Sequence, residues 1–269
     1  MTQIKDKVVA ITGAASGIGR ALALRLAAKG ARLAISDVNE SGLRETATLL
    51  AATASDVSVH VVDVRRRQVV QRYAEEVERQ HGGADIVINN AGLAVRASLE
   101  EVSYQDFETV IDVNLWGVIH GTKAFLPLLR KRAEGHIVNI SSINAMVPFI
   151  NNGPYNISKY AVLGLSETLI QELQGQPIHV TCVHPGGIRT DIVRNCKGAT
   201  EGDVAMFEKL ARTSPREAAD AIIAGIEKNK EQVFIGVDAK AMAVAKRLFP
   251  RWVLHRTATL MHRLEKKRT

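Results

Sequence analysis

Thr12-Gly13-Ala14-Ala15-Ser16-Gly17-Ile18-Gly19 follows a short apolar run, Val8–Thr12, and opens a stretch rich in Ala and Leu. Glycines at this spacing let the main chain turn sharply between a strand and a helix and approach a bound group closely. The free N–H groups at the start of the helix attract phosphate. The segment therefore predicts a strand–loop–helix unit that binds the pyrophosphate of a dinucleotide. The residues expected at the pyrophosphate are Gly13, Ser16, Gly17, Ile18 and Gly19.

Short β-rich runs alternate with longer helical stretches along most of the chain. This alternation predicts βαβ units and hence a parallel sheet. We expect a Rossmann-like, doubly wound α/β domain of about seven strands with helices on both faces, spanning residues 1–238. Strands are expected at Val8–Thr12, Arg32–Asp37, Val57–Asp63, Asp85–Asn89, His136–Ser141, Ile178–His184 and Gln232–Gly236. Helices are expected between them, for example at Ile18–Lys29, Arg65–Gln80 and Tyr104–Lys131.

Composition and charge narrow the class of protein. The 269 residues are 46% hydrophobic, and the two cysteines lack metal-ligand spacing. No apolar run is long enough to span a bilayer and no signal peptide precedes the first strand, so we expect a cytoplasmic protein. Residues 240–269 hold nine Lys or Arg and one acid, whereas the rest of the chain holds 26 basic and 27 acidic residues. This neutral body argues against nucleic-acid binding.

Asp37 ends the second predicted strand, 18 residues beyond Gly19. A carboxylate at this place accepts hydrogen bonds from the adenosine ribose hydroxyls and repels a 2′-phosphate. The neighbouring Ser16 and Val38 carry no positive charge that would favour such a phosphate. We therefore expect NAD as the cofactor, with NADP as the less favoured alternative.

Two further strand ends carry residues that we expect at the same edge of the sheet. Asp63 and Val64 follow the third predicted strand, where the carboxylate is expected to meet the adenine amino group. Asn90, Ala91 and Gly92 follow the fourth predicted strand. Ligands of open α/β sheets bind outside the carboxyl ends of the strands. These residues therefore join the predicted cofactor site.

Tyr155-Asn156-Ile157-Ser158-Lys159 lies at the start of a predicted helix, so Tyr155 and Lys159 share one face. A free tyrosine is a poor base at neutral pH, because its pKa is near ~10. A nearby ammonium group and a positively charged cofactor would both lower that pKa. Ser142 follows the fifth predicted strand, 13 residues before Tyr155, and is placed to reach the same substrate oxygen.

These motifs, in this order and spacing, resemble those of the short-chain dehydrogenase/reductase family, in its single-domain catalytic branch. The similarity runs from about Lys5 to Gly236 and includes the glycine loop and the Tyr-x-x-x-Lys segment. The further motifs that carry it are Asn89–Gly92, Asn114, Ser142 and Pro185-Gly186.

The resemblance implies a separate role for each residue at the site of hydride transfer. Tyr155 would be the general acid/base on the substrate oxygen, while Ser142 would hold and polarise that oxygen. Lys159 would lower the pKa of Tyr155 and bind the nicotinamide ribose. Asn114 would anchor a water of a proton relay behind Lys159, although repair of the helix backbone is an alternative role. The implied nicotinamide contacts are Pro185, Gly186, Ile188 and Thr190.

The implied reaction is NAD(H)-dependent hydride transfer between a secondary alcohol and a ketone, with no metal ion. His184 precedes Pro185 and is expected to be a structural imidazole with satisfied hydrogen bonds. Two alternatives stay open. One is an NADPH-dependent reductase of 3-oxoacyl-type ketones, which Asp37 disfavours. The other is a dinucleotide-binding sensor without turnover.

Apolar residues follow both the Ser142 segment and the Thr190 segment. Val147, Phe149 and Ile192 are expected on the substrate side, together with Ser142 and Tyr155. They predict an apolar alcohol or ketone, with core packing of the same side chains as the alternative. The segment between Pro185 and Pro215 is a candidate lid.

A basic extension, residues 239–269, departs from the family pattern. Pro250 is expected to split it into two helical stretches, and a helical wheel for Arg251–Lys267 places apolar residues on one face. Trp252 falls on the opposite face, exposed among Arg251, Arg256, Arg263 and Lys266. Such a helix would lie on an anionic membrane surface or pack on its own or a partner subunit. We expect a homodimer or homotetramer, and the extension puts the tetramer in doubt. The apolar face comprises Val253, Leu254, Thr257, Ala258, Leu260, Met261 and Leu264.

Overall fold

The central sheet has seven parallel strands within the residues that the computed structural model describes, 1–52 and 56–265. In chain order they are β1 (Val8–Thr12), β2 (Arg32–Asp37), β3 (Val57–Val61), β4 (Ile86–Asn89), β5 (Gly135–Ile140), β6 (Ile178–Pro185) and β7 (Gln232–Ile235). They pair in the order β3-β2-β1-β4-β5-β6-β7. The direction of the chain across the sheet reverses between β1 and β4, which places a crevice outside the carboxyl ends of these two strands.

Helices cover both faces of the sheet, as the sequence predicts. They are α1 (Gly17–Ala27), α2 (Glu40–Leu50), α3 (Arg67–His81), α4 (Tyr104–Ile111), α5 (Gly117–Leu129), α6 (Gly153–Glu172), α7 (Glu201–Leu210), α8 (Pro215–Glu227), α9 (Val237–Leu248) and α10 (Pro250–Glu265). A 3₁₀ turn, Ile143–Ala145, follows β5. Helices α1, α2 and α8 pack on one face, whereas α3, α5 and the end of α6 pack on the other. The predicted Rossmann-like, doubly wound fold is confirmed.

Alternation of side chains along the strands divides the interior into two cores. Ile11 and Ile35 point into the core under α1 and α8, whereas Ala10 and Ala34 point into the core under α3 and α5. The small alanines leave room for Tyr73, whose hydroxyl donates to the Ala34 carbonyl at 2.7 Å. Because both faces of the sheet are packed, the carboxyl ends of the strands are held at fixed positions.

The predicted helix Tyr104–Lys131 is wrong as a single α-helix. A π-helical turn, Asp112–Trp116, interrupts it between α4 and α5. Asn114 lies inside this turn, and its side chain exchanges two hydrogen bonds with the main chain of Leu93. These bonds to a neighbouring loop hold the wider turn in place.

Several strand ends lie one or two residues from their predicted positions. β3 ends at Val61 rather than at Asp63, because the Asp63 carboxylate accepts the amide of Arg65 and the chain turns there. β6 continues to Pro185, which is in register with Ile235 of β7. β4, β5 and β7 each shift by one residue at one or both ends.

The C-terminal extension forms two helices that meet at Pro250, as predicted. α9 begins at Val237, so the predicted domain boundary at residue 238 falls within its first turn. α10 packs on α9 with Val253 buried, and Trp252 is 58% exposed, as the wheel predicts. Leu260 is also mainly exposed, contrary to the wheel, because Val253 and Thr257 line the groove against α9 instead. The side chain of Leu264 and the whole of Lys266 lie outside the described residues.

None of the described helices is both long enough and apolar enough to pass through a membrane.

Candidate active site

The loops that follow β1, β4 and β5 meet at the carboxyl edge of the sheet. A Cβ built on Gly13 would lie 2.8 Å from the Cα of Ala91, so the loops after β1 and β4 are in direct contact. A Cβ built on Gly92 would lie 3.5 Å from the Nζ of Lys159. The structure thus brings the predicted dinucleotide-binding loops and the predicted catalytic residues to one place.

The glycine loop has a main-chain path that side chains would block. Gly13 and Gly17 have φ values of +70° and +52°, which favour glycine. A Cβ on Gly19 would collide with the carbonyl oxygen of Gly13, and a Cβ on Gly17 would lie 3.2 Å from the methyl group of Thr190. The loop therefore presents bare main chain at the start of α1, which fits the pyrophosphate of a dinucleotide.

Asn90 holds this loop from inside. Its side-chain amide donates to the carbonyl oxygens of Thr12 at 2.9 Å and Gly13 at 3.0 Å. The amides of Asn90 and Ala91 in turn donate to the Thr12 hydroxyl at 3.0 and 3.1 Å. The sequence predicts a direct cofactor contact for Asn90, whereas its side chain in the structure positions the loop that would make such contacts.

Asp37 lies at the end of β2, facing the glycine loop. Its carboxylate accepts the amides of Ala15 and Asn39, both at 2.9 Å, so the side chain is fixed at the edge where the adenosine ribose is expected. Arg20 is the neighbouring cation that sequence reasoning missed. Its guanidinium donates to Thr46 and Glu45 and to two main-chain carbonyls, so it is committed to joining α1 to α2.

Asp63 and Val64 lie at the same edge, beyond β3. Asp63 forms a two-pronged ion pair with Arg65, at 2.9 and 2.7 Å, which holds the pKa of that carboxyl below its usual range. Val64 is buried, and its carbonyl oxygen lies 3.0 Å from the ring nitrogen Nδ1 of His120. The adenine contacts of both residues stay predictions.

Ser142, Tyr155 and Lys159 form a polar cluster beside Gly92, in the loop after β4. Lys159 is only 3% exposed, and its Nζ donates to the carbonyl of Ile140 at 2.9 Å and lies 5.5 Å from the centre of the Tyr155 ring. Burial lowers the pKa of Lys159 to about 8, so the ammonium form still predominates at neutral pH. The predicted shared face of Tyr155 and Lys159 is present in the structure.

Burial and a hydrogen bond act in opposite directions on the pKa of Tyr155. Burial raises this pKa above its ordinary value, and a hydrogen bond with Ser142 opposes the shift. The predicted lowering of this pKa by Lys159 and a positively charged cofactor stays a prediction. The phenol is therefore protonated at neutral pH and can donate its proton to an oxygen beside it.

Asn114 is fully buried between the β4 loop and α6. Its side-chain oxygen accepts the Leu93 amide at 2.9 Å, while its amide donates to the Leu93 carbonyl and to the Ser158 hydroxyl. Ser158 then donates to the carbonyl of Tyr155 at 2.8 Å. The structure thus supports a role for Asn114 in positioning Tyr155, and the predicted water relay stays a prediction.

Two asparagines that sequence reasoning missed position Ser142. The Ser142 hydroxyl donates to the side-chain oxygen of Asn144 at 3.2 Å and accepts the Asn144 amide. The side chain of Asn144 also donates to the side-chain oxygen of Asn156 at 2.8 Å. Asn156 in turn accepts the main-chain amide of Phe149 and donates to the Phe149 carbonyl. The signal available in the sequence was the position of Asn156 directly after Tyr155.

Asp238 was also missed, although it contacts the predicted nicotinamide loop. Its carboxylate accepts the amide of Gly187 at 2.8 Å, and a Cβ on Gly186 or on Gly236 would collide with the same carboxylate. The first turn of α9 therefore holds the Pro185-Gly186 segment. Close packing against this side chain explains why glycine stands at position 186.

His184 is buried behind Ser142 and only partly satisfied. Its Nδ1 lies 3.2 Å from the Ser142 carbonyl oxygen, and its ring stacks on Phe234. Its Nε2 has no hydrogen-bond partner among the described residues, which corrects the prediction of a fully satisfied imidazole. Burial lowers the pKa of His184, so the ring is neutral at physiological pH.

The predicted substrate side is partly accessible. Phe149 and Ile192 are half-buried, whereas Val147 has no exposed surface and packs in the interior. The candidate lid is tied down at Lys197, whose carbonyl accepts the Arg96 amide and whose Nζ pairs with Asp106 at 2.8 Å. Opening of this segment would have to break these contacts.

Comparison with known proteins assigns the family. Residues 7–200 match the family model described as short chain dehydrogenase. The chain belongs to the short-chain dehydrogenase/reductase family.

Relatives in this family share most of the chain. The oxidoreductase SadH of Mycobacterium tuberculosis H37Rv is 42% identical over 255 residues, which cover 92% of each protein. A short-chain dehydrogenase/reductase from Burkholderia phymatum, solved in complex with NAD, superposes with a TM-score of 0.85 at 29% identity, covering 94% of this chain and 96% of that one. An alcohol dehydrogenase from Thermococcus sibiricus, complexed with 5-hydroxy-NADP, has a TM-score of 0.75 at 28% identity, covering 86% and 96%.

Replacing Lys159 should reveal how much stability this dehydrogenase/reductase loses by burying a cation. The pKa of Lys159 falls from 10.5 to about 8 on folding, so between these pH values the unfolded chain binds more protons and stability rises with pH. The penalty is ~3 kcal/mol below pH 8. Lys159→Met should therefore raise the free energy of unfolding by ~2 kcal/mol at pH 7, after ~1 kcal/mol is lost with the hydrogen bond to Ile140.

Urea unfolding of both proteins across this pH range measures the effect. The advantage of Lys159→Met should shrink towards pH 10.5, whereas Lys123→Met, a change of an exposed lysine on α5, should leave the pH dependence unchanged. An advantage that does not vary with pH would show that packing, and not charge burial, is responsible.

Replacing Asp238 should weaken dinucleotide binding at the Gly186 segment. Asp238→Ala removes the acceptor of the Gly187 amide, so the dissociation constant for NADH should rise roughly 3- to 10-fold, the effect of one hydrogen bond. Asp238→Asn keeps an acceptor oxygen and should bind within about twofold of the unmodified protein, since only the strength of that bond changes. NADH fluorescence titration measures both, and equal losses in the two variants would refute the positioning role.

Proposed function

We propose that this short-chain dehydrogenase/reductase interconverts a secondary alcohol and a ketone, using NAD(H) in preference to NADP(H). The observation that carries the proposal is the cluster of Tyr155, Ser142 and Lys159 beside Gly92, in the loop after β4 that contacts the glycine loop. The nicotinamide dinucleotides bound by the two solved relatives support the cofactor class. The alcohol dehydrogenase among them supports the reaction class.

The dinucleotide, when bound, supplies or accepts the hydride at the substrate carbon. In reduction, Tyr155 donates its phenolic proton to the substrate oxygen, and burial favours the protonated form that this step needs. In oxidation, Tyr155 first releases its proton to solvent, and the Lys159 ammonium stabilises the negative charge of the phenolate. The phenolate oxygen then takes the proton of the alcohol. The Ser142 hydroxyl holds the substrate oxygen against Tyr155.

Residues at the carboxyl edge would hold the dinucleotide. The bare main chain of the glycine loop and the start of α1 would bind the pyrophosphate, and Asp37 would accept the ribose hydroxyls. We assign the adenine end to Asp63 and Val64. The nicotinamide end is assigned to Gly92, Pro185, Gly186, Ile188 and Thr190.

The preference for NAD(H) rests on the charges around β2. Asp37 is fixed by two main-chain amides, so its negative charge cannot swing away from a 2′-phosphate. Val38 is exposed and uncharged, and the Arg20 guanidinium is already bonded to four groups. A 2′-phosphate would therefore meet the carboxylate of Asp37, while Val38 offers no charge and Arg20 is already engaged, which disfavours the NADPH-dependent alternative.

The substrate side supports an apolar substrate. Phe149 and Ile192 are half-buried, as are Met206 and Phe207 on α7, which lies within the candidate lid. Apolar groups of this kind bind an apolar alcohol or ketone by removing its surface from water.

We propose a homodimer as the assembly. Apolar side chains of the π-helical turn and of α6 are 40% to 48% exposed, a surface that a second subunit would cover. These side chains are Trp116, Ile157 and Tyr160.

Tyr155→Phe tests the assignment of the acid/base. This substitution keeps the ring and removes the proton, so turnover of a secondary alcohol with NAD should fall by roughly 10² to 10⁴. NADH affinity should stay within about twofold, because the ring still packs. Absorbance of NADH across short-chain, steroid, retinoid and hydroxyacyl alcohols gives the turnover, with Tyr104→Phe, a change of a highly exposed tyrosine, as the control.

Two outcomes would overturn the assignment. Turnover of Tyr155→Phe within tenfold of the unmodified protein would show that another group transfers the proton. Tight NADH binding without turnover of any alcohol or ketone by the unmodified protein would favour the sensor instead.

Asp37→Ser with Val38→Arg tests the cofactor preference. In the unmodified protein, kcat/KM with NAD should exceed that with NADP by ~100-fold, since like charges at close range disfavour binding by several kcal/mol. The double substitution should reverse the preference by replacing repulsion with attraction. Glu40→Gln removes an exposed carboxylate that is paired with Arg44 and should leave the ratio unchanged. Equal use of both cofactors by the unmodified protein would contradict the role of Asp37.

A further inference from the structure

Helices α9 and α10 form a hairpin that is only lightly covered by the rest of the chain. Within residues 237–263, Ala239 and Val253 are the buried positions. α10 contacts α9, and α9 contacts the 3₁₀ turn that follows Ser142. The hairpin therefore leaves a large surface open on the same side of the molecule as the predicted catalytic residues.

An exposed apolar stripe runs along the whole length of α9. Its members recur at helical spacing and point away from the buried Ala239. The stripe comprises Val237, Ala241, Val244 and Leu248. Its three larger side chains are between 59% and 85% exposed. A stripe of this kind on a helix surface indicates contact with an apolar phase or a partner.

Aromatic side chains continue the stripe at the corner of the hairpin. Phe249 follows the stripe directly and Trp252 lies in the first turn of α10, with their ring centres 6.4 Å apart. Both rings are more than half exposed. The guanidinium of Arg256 lies 5.8 Å from the centre of the Trp252 ring. Indole and guanidinium groups together are typical of the interface between water and lipid headgroups.

Positive charge surrounds this surface. Lys240 and Arg247 are exposed beside the stripe, and Arg251 and Arg256 are exposed beside the aromatic corner. Residues 240–269 carry nine basic residues and one acid, whereas the remainder of the chain is nearly neutral. A second copy of the hairpin would therefore bring like charges together, and the body offers no acidic excess to pair with them.

We propose that the stripe and its aromatic corner dock on an anionic membrane surface. The apolar side chains would enter the headgroup region, and the surrounding Lys and Arg residues would pair with lipid phosphates. This mode of binding needs both features at once. Apolar contact alone would not distinguish lipids by charge, and charge alone would not need exposed Leu248 and Phe249.

Vesicle binding by the full-length protein tests the proposal. Trp116→Phe leaves Trp252 as the single tryptophan reporter. The protein should co-sediment with phosphatidylglycerol–phosphatidylcholine vesicles, with Trp252 emission shifted to shorter wavelength. It should bind phosphatidylcholine vesicles at least roughly tenfold more weakly, because each basic residue near an anionic surface adds to the affinity. High salt should weaken binding to the anionic vesicles.

Matched variants separate the two contributions. Leu248→Ser with Phe249→Ser should abolish binding, and Arg247→Gln with Arg251→Gln should weaken it roughly tenfold or more. Leu49→Ser and Arg44→Gln change exposed residues of α2 and should bind as the unmodified protein does. Retained NADH affinity shows that each variant is folded.

Three results would overturn the proposal. They are absence of binding to either vesicle, equal binding to both, and equal losses in the α2 controls. Sedimentation velocity tests the alternative that a second copy of the chain binds this surface. A dimer that dissociates in Leu248→Ser with Phe249→Ser, without vesicle binding by the unmodified protein, would assign the surface to a second copy of the chain.

Discussion

Hydrogen bonds between Thr12 and the loop after β4 hold together the ends of β1 and β4. These are the two central strands, on either side of which the chain adds strands in opposite directions. The Thr12 hydroxyl accepts the amides of Asn90 and Ala91, and the Asn90 side chain donates to the carbonyls of Thr12 and Gly13. This connection leaves no space for a Cβ at Gly13 or Gly19. The bare loop and the crevice beside it both depend on this small set of polar contacts.

A second chain of hydrogen bonds links the loop after β4 to Tyr155. It runs from the Leu93 main chain through the buried side chain of Asn114 to Ser158, and then to the carbonyl of Tyr155. Ser142 is positioned from the other side by Asn144. Tyr155 is thus located by buried amides and hydroxyls, which are costly to leave unpaired and therefore specify one arrangement.

Sequence patterns correctly predicted the features that depend on residues close together in the chain. The glycine loop, the order of strands and helices and the shared face of Tyr155 and Lys159 all follow from residues close together in the chain, and the structure contains them. The π-helical turn escaped prediction because it depends on a contact between Asn114 and Leu93, 21 residues apart. Asp238 escaped for the same reason, because its partner Gly187 lies 51 residues away.

The chemistry of the site shows the same limit. Residue types and spacing predict a role for Tyr155, but the pKa of this residue in the protein depends on how deeply the ring is buried and on the Ser142 hydroxyl. Neither quantity can be read from spacing. Likewise, Asn90 was correctly placed at the edge of the sheet, while the direction of its side chain was set by the carbonyls of Thr12 and Gly13.

Helix α9 joins two surfaces that differ in chemistry. Its first turn holds Gly187 through Asp238, and its outer face carries the exposed stripe that ends at Leu248. Thermodynamic linkage then sets a symmetric condition. If occupancy of the loop at Gly187 changes the affinity of the outer face for its partner, the partner must change the affinity of the loop by the same factor. A single helix is therefore sufficient to couple binding at the Gly187 loop to binding at the outer face of α9.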